Sequence, residues 1–133
     1  MNYLLDTNIC IYIIKKKPEE VRQRFLKIPM GQIGISSITL AELHYGVCKS
    51  MHPEKNLRAL NQFLVSLEIY DFDFYSAIEY GEVKGDLDRK GLPIGPLDTL
   101  IAAHAKRLEF TLVTNNEKEF TRVVGLKVEN WVN

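Results

Sequence analysis

Short apolar runs alternate along this chain with longer stretches in which apolar residues recur every three or four positions. Residues 2–5, 33–36, 111–114 and 127–129 read as strands, and 68–70 as a weaker fifth. Helices are predicted between them. Residues 8–15 and 18–26 form an early pair, with Pro18 placed as a first helical residue. A third begins at Ser37 or Ile38 and runs to Lys49, with Leu40, Leu43 and Val47 at helical spacing. Residues 53–67 carry a stripe of Leu57, Leu60, Leu64 and Leu67. The stretch 73–89 opens on an aspartate suited to an N-cap and stops at Gly91 and Pro93. The last, 96–108, contains Ala102, Ala103 and Ala105, small enough for close helix packing. Strands alternating with helices imply an α/β domain of three layers, α/β/α, around a short, mainly parallel central sheet. In such a sheet the carboxyl ends of the strands line up on one edge.

Nothing in the composition divides the chain. No linker, repeat or low-complexity segment interrupts it, and 133 residues suffice for one domain with a substantial core, so residues 1–133 are expected to fold as one. Apolar content of 46% and charged content of 26% are ordinary for a globular protein. No apolar run reaches the length of a membrane span, and Met1 leads straight into a strand, so the expectation is a cytoplasmic protein with no membrane contact. Cys10 and Cys48 match no metal-binding spacing and fit apolar helix faces, so both are expected to be buried reduced thiols. Acids and bases balance at 17 each, which gives no sign of a polyanionic partner. Lys15, Lys16 and Lys17 with Arg22 and Arg24, and Lys84 with Arg89 and Lys90, form local basic clusters; a solvated helix end, favoured by the helix dipole, is the simpler account of the lysine triplet.

Three acids change the picture. Asp6 falls where the first strand gives way to a helix, the edge at which α/β folds place ligands and chemistry. Glu42 lies about one turn into the helix after the second strand. Asp98 sits in the first turn of the helix opened by Pro96, and Thr114-Asn115-Asn116 follows the later strand to the same edge. Each acid alone has a plain explanation: Glu42 as an exposed helical glutamate, Asp98 as a favourable charge at a helix N-terminus. Asn8 fits a helix cap as well as a ligand-orienting role. Together, three carboxylates about 5 Å apart would repel by roughly 3 kcal/mol per pair at an effective dielectric near 20. A divalent cation offsets that repulsion, and an all-oxygen donor set suits Mg²⁺, with Mn²⁺ as substitute. The chemistry that best uses such a site is attack of metal-activated water on a phosphodiester, with Thr7, Thr114, Asn8 and Asn116 orienting ligand or water.

Other catalytic arrangements are missing. Position 8 is Asn where a haloacid-type phosphotransferase needs a second aspartate. There is no G-x-S-x-G elbow, Walker loop, H-E-x-x-H or zinc deaminase signature. His44, His52 and His104 cluster with neither a cysteine nor each other, and His104 reads as a structural histidine in a packed helix.

Five segments then come in order: Leu5-Asp6-Thr7-Asn8; Ser36 through Leu43 with Gly46 after it; Pro93 through Asp98 leading to Leu100-Ile101-Ala102-Ala103-His104-Ala105; Leu112 through Asn116 with Glu119-Phe120; and Gly125 through Trp131. Over its whole length the chain resembles a PIN-domain ribonuclease of the VapC toxin kind, from a bacterial type II toxin–antitoxin pair. The resemblance implies a PIN-like fold and a Mg²⁺-dependent endoribonuclease that stops translation. It implies Asp6 and Asp98 as Mg²⁺ ligands, Glu42 completing the set directly or through water, and Thr7 and Asn8 in support. Many PIN domains carry another aspartate after the fourth strand, where this chain has Asn115-Asn116 with Glu117 and Glu119 close behind. That departure implies one firm Mg²⁺ site, a second ion recruited with substrate, and Glu119 as a partial substitute. The implied substrate is structured RNA, often tRNA, with the initiator tRNA anticodon loop the narrower expectation. Tyr12, Tyr45 and Tyr80 are candidates for stacking splayed bases, against core packing. Implied partners are a VapB-type antitoxin laid into a groove near residues 8–26, with a basic side chain entering the acidic pocket, and a second copy in a homodimer; DNA is met only through the antitoxin. Two alternatives stand beside this: a catalytically weak binding partner of a DNA-binding antitoxin in autorepression, and a PIN nuclease acting on DNA or ribosomal RNA.

Overall fold

The computed structural model describes residues 1–133. Five strands, β1 (Tyr3–Leu5), β2 (Ile33–Ser36), β3 (Glu68–Tyr70), β4 (Thr111–Val113) and β5 (Lys127–Glu129), form one sheet in the order β3-β2-β1-β4-β5, and every pairing is parallel. The helices are α1 (Thr7–Lys15), α2 (Glu19–Lys27), α3 (Ser37–Cys48), α4 (Pro53–Leu64), α5 (Phe74–Arg89), α6 (Pro96–Leu108) and α7 (Glu117–Phe120).

Strand periodicity sorts the core into two layers. Leu5, Ile33, Ile35 and Val113 face one side, with Ile9, Ile13, Val21, Leu43, Leu60 and Phe63 from α1 to α4. Leu4 and Leu112 face the other, with Val83, Leu87, Ile101 and the alanines of α6. The three-layer α/β/α expectation holds, with a sheet that is parallel throughout. At Gly34 a side chain has no room, because an added Cβ would lie 2.7 Å from the Glu68 carbonyl oxygen and against the Tyr70 ring.

Element ends follow local chemistry. Asp73 caps α5 by accepting from the Ser76 amide at 2.9 Å, and α6 begins at Pro96, both as read from sequence. Pro18 is instead the extended residue preceding α2. The α4 helix stops at Leu64, since the Ser66 and Leu67 amides turn back to the Phe63 and Leu64 carbonyls. The short α7 was not foreseen, being a single turn with no room for an apolar stripe. Cys10 is buried as expected, but Cys48 is exposed. At the last position of α3 it has passed the stripe set by Leu43, which faces the core.

The chain builds the sheet outward from β1 to β2 and β3, then returns to add β4 and β5 on the other side. The strand order therefore reverses between β1 and β4, and the crevice beyond their carboxyl ends is where open α/β sheets bind ligands. No helix is long and apolar enough to cross a membrane.

Candidate active site

Asp6 and Thr114, the residues directly after β1 and β4, meet in that crevice. Asp6 is only 5% exposed, yet both carboxylate oxygens are occupied. Oδ1 accepts from the Ile9 amide at 2.9 Å, capping α1, and Oδ2 accepts from the Thr114 hydroxyl at 2.5 Å. Thr114 Oγ1 in turn accepts from the Asn116 amide at 2.9 Å, and the Asn116 side-chain nitrogen donates to Glu119 Oε2 at 2.7 Å. A continuous hydrogen-bonded path thus runs from Asp6 to Glu119 on α7. On the opposite flank Thr7 donates its hydroxyl to Glu42 Oε1 at 2.7 Å, joining α1 to α3. Asp98 stands half-buried in the first turn of α6, and Asn8 is exposed in the first turn of α1.

Electrostatics tie these acids together. Burial, with the charges of Asp98 and Glu42 adding to it, pushes Asp6 up to about 6 despite the bonds from Thr114 and Ile9. Asp98 is also raised, by burial and then by Glu42 and Glu119. The ion pairs of the chain are Arg22–Glu19, Arg24–Glu129, Lys84–Asp88, Lys90–Asp86 and Lys106–Glu79. None reaches Asp6, Glu42, Asp98 or Glu119. Four carboxylates therefore share one rim with hydroxyl and amide partners but no cation.

The donor set fits a hard divalent ion in its chemistry: oxygen ligands, net negative charge, raised carboxyl pKa values. Its geometry is looser than a closed cage, since no three acidic, His or Cys groups stand close enough to hold one ion together. Mg²⁺ keeps several of its waters and takes one or two carboxylates directly, which suits such a spacing.

His104 is buried, with Nδ1 2.7 Å from Ser36 Oγ and its ring against Phe72, and is structural as expected. Tyr12 accepts from the Asn115 amide at 3.3 Å, and Tyr80 packs against the core, while Tyr45 is exposed beneath Lys49. Asn130 was not singled out from sequence. It donates to Asn115 Oδ1 at 3.3 Å and Glu117 Oε1 at 2.9 Å, bracing the loop between β4 and α7. Its position just after β5, level with Thr114 after β4, was the available signal.

The PIN domain family profile matches residues 3–126. A tRNA(fMet)-specific endonuclease VapC from Salmonella typhimurium is 46% identical over 131 residues, covering 98% of each chain. The chain belongs to the PIN-domain family, in its VapC branch. Ribonuclease VapC2 of Rickettsia felis is 50% identical to this VapC-family chain over 132 residues, again covering 98% of each. Among solved structures, VapBC2 from Rickettsia felis bound to a DNA fragment from its promoter superposes with a TM-score of 0.94 at 48% identity, covering 99% of this chain and 100% of that one. The acids described above therefore sit in a fold whose relatives carry nuclease names.

Proposed function

We propose that this VapC-family protein is a Mg²⁺-dependent endoribonuclease toxin that cuts tRNA, with the initiator tRNA as its target, and so inhibits translation. The observation that carries the reading is the meeting of Asp6 and Thr114 at the strand-order reversal, beside Glu42, Asp98 and Glu119, none of which enters an ion pair. A near-full-length relative named as a tRNA(fMet)-specific endonuclease supports the substrate.

In this reading Asp6 and Asp98 would hold the ion. Glu42, aimed by Thr7, and Glu119, aimed by Asn116, would complete the acidic set, Glu119 supplying the charge that Asn116 lacks. Mg²⁺, when bound, supplies positive charge for the scissile phosphate and makes bound water more acidic; Mn²⁺ serves in its place. Thr114 and the Ile9 amide keep the Asp6 oxygens fixed, so that the carboxylate does not swing as charge develops.

A groove of 360 Å³ between α1, α3 and α4 is lined by Ile11, Ile14, Leu43, Val47 and Leu60, with Glu42, Lys15 and Lys49 among its charged lining. It suits the apolar helix of a VapB-type antitoxin, whose basic side chain would then reach the acidic rim. The exposed Phe74, Tyr75 and Ile78 of α5 suit contact with a second copy. With tRNA as substrate the protein acts in the cytoplasm.

Asp6→Ala and Asp98→Ala are expected to lose tRNA cleavage by at least about 100-fold while remaining folded. Cleavage is followed by gel with antitoxin-free protein, total tRNA and Mg²⁺. Full activity in either variant, or in excess EDTA, would overturn the reading. The presence of promoter DNA in the Rickettsia felis complex favours one rival, a catalytically weak partner of a DNA-binding antitoxin. Absence of any discrete RNA product with Mg²⁺ or Mn²⁺ would favour that rival.

A further inference from the structure

Outside the acidic rim, one buried polar contact bridges the two helices that deliver Glu42 and Asp98. Ser36, wholly buried, is the N-cap of α3, its hydroxyl oxygen accepting from the Ile38 amide at 3.1 Å. The same oxygen lies 2.7 Å from Nδ1 of His104, which is 1% exposed on α6. The next residue, Ser37, accepts from the Phe72 amide at 3.0 Å, and the Phe72 ring meets the His104 ring edge-on at 5.4 Å. The junction of β2 with α3, the segment after β3, and α6 are therefore clasped at one point. Glu42 lies six residues beyond Ser36, and His104 six residues beyond Asp98. Each carboxylate is thus about 9 Å along its helix from the clasp.

Hydrogen-bond accounting gives the contact a direction. The Ser36 oxygen already receives the Ile38 proton, and the one further partner beside the hydroxyl is His104 Nδ1. Buried hydroxyls rarely leave that proton unused. Nδ1 then accepts and the ring proton sits on Nε2. Burial holds the imidazole below its ordinary range, in keeping with a neutral ring.

We propose that Ser36 and His104 are positioning residues of the nuclease site, their hydrogen bond fixing α3 against α6 so that Glu42 and Asp98 keep the separation a shared divalent ion requires. This rests on the metal-site reading above. Because no three acids converge on one ion by themselves, the helix spacing governs how well Glu42 and Asp98 cooperate. Packing alone does not account for a polar pair here: an apolar contact would hold α3 on α6 without directional constraint, whereas a hydrogen bond sets register.

Calorimetric titration of Mn²⁺ into antitoxin-free protein tests this independently of cleavage. Ser36→Ala and His104→Leu are expected to bind Mn²⁺ about 10-fold more weakly. His104→Asn, which keeps an acceptor at the Nδ1 position, and Ser36→Thr should stay within about 3-fold of the parent. Should His104→Leu fail to fold, His104→Gln carries the same expectation, because it moves the amide one bond beyond that position. Nitrogen NMR of the parent should show Nδ1 unprotonated; a protonated Nδ1 would overturn the direction argued. Asp98→Ala serves as the reference. Loss of Mn²⁺ binding in Asp98→Ala, with parent-like binding in Ser36→Ala, His104→Leu and His104→Gln, would overturn the positioning role alone. Parent-like binding in Asp98→Ala would overturn the metal site and this inference with it.

Discussion

On α5, Asp86 and Asp88 each face a lysine one turn away, Lys90 at 2.8 Å and Lys84 at 3.0 Å. At the carboxyl edge of the sheet, Asp6 and Asp98 face other carboxylates. The hydrogen bond and charge of Lys90 hold Asp86 below its ordinary value, whereas burial and like charge push Asp6 and Asp98 up. The same side chain is thus accommodated in one place and disfavoured in the other. On a helix surface, water and a neighbouring lysine are available to any acid. In the crevice, the backbone amide of Ile9 and the hydroxyls of Thr7 and Thr114 are aimed at acids that enter no ion pair. Such spending of stability at one rim is what a site awaiting a metal would show.

The sharpest way to break this contrast is through pH. Asp6 titrates near 6 in the folded chain, against about 3.9 when unfolded, so the fold binds the proton more tightly. Its contribution to metal-free stability is therefore greatest below about pH 4, declines between about 4 and 6, and is flat above. The full difference is at most about 3 kcal/mol. Asp6→Asn keeps an acceptor for the Ile9 amide but no charge. In EDTA at pH 7.5 it is expected to raise stability by about 1–2 kcal/mol while losing cleavage, and denaturant unfolding at pH 4.5 and 7.5 checks both the gain and its fall to about a third in acid.

A smaller effect separates the two halves of the rim itself. Glu119→Gln removes charge beside Asp98 yet keeps a partner for Asn116, and should reduce cleavage about 10-fold. Cleavage rates across a Mg²⁺ series check this; an unchanged rate at every concentration would remove Glu119 from the site. Smallest of all, Lys84→Ala and Lys90→Ala on α5 should move the thermal midpoint by less than about 2 °C, because exposed ion pairs contribute little. A larger loss on scanning calorimetry would erase the distinction between the regions.

Much of this was legible in the residues because local chemistry carried it. The apolar run ending at Leu5, the leucine spacing before Leu64, the aspartate cap at position 73 and Pro96 each encode an element within a few positions. Three acids were legible as a group because Asp6 follows a strand, Asp98 opens a helix and Glu42 lies about one turn into the helix after another strand, all toward the same edge. What could not be read depends on residues far apart in the chain. The Asp6–Thr114 bond spans 108 positions, and the strand order that makes their crevice is set by which apolar faces pair. The clasp of Ser36 on His104 spans 68. Cys48 was read as buried from its helix alone, although which face of α3 meets the core is decided by α1, α4 and α6. The spacing of the acids, taken from sequence as tight, is wide enough that no three share an ion directly.

The central claim is that the carboxylates of Asp6 and Asp98 are held together at a cost that a divalent ion offsets. Thermal unfolding of antitoxin-free protein at pH 7.5, with Mn²⁺ and with EDTA, tests it most directly. At a Mn²⁺ concentration ten times the dissociation constant, the parent should gain about 1.4 kcal/mol, a rise of about 5 °C, and Asp98→Ala should gain nothing. Identical midpoints for the parent in Mn²⁺ and in EDTA would contradict it.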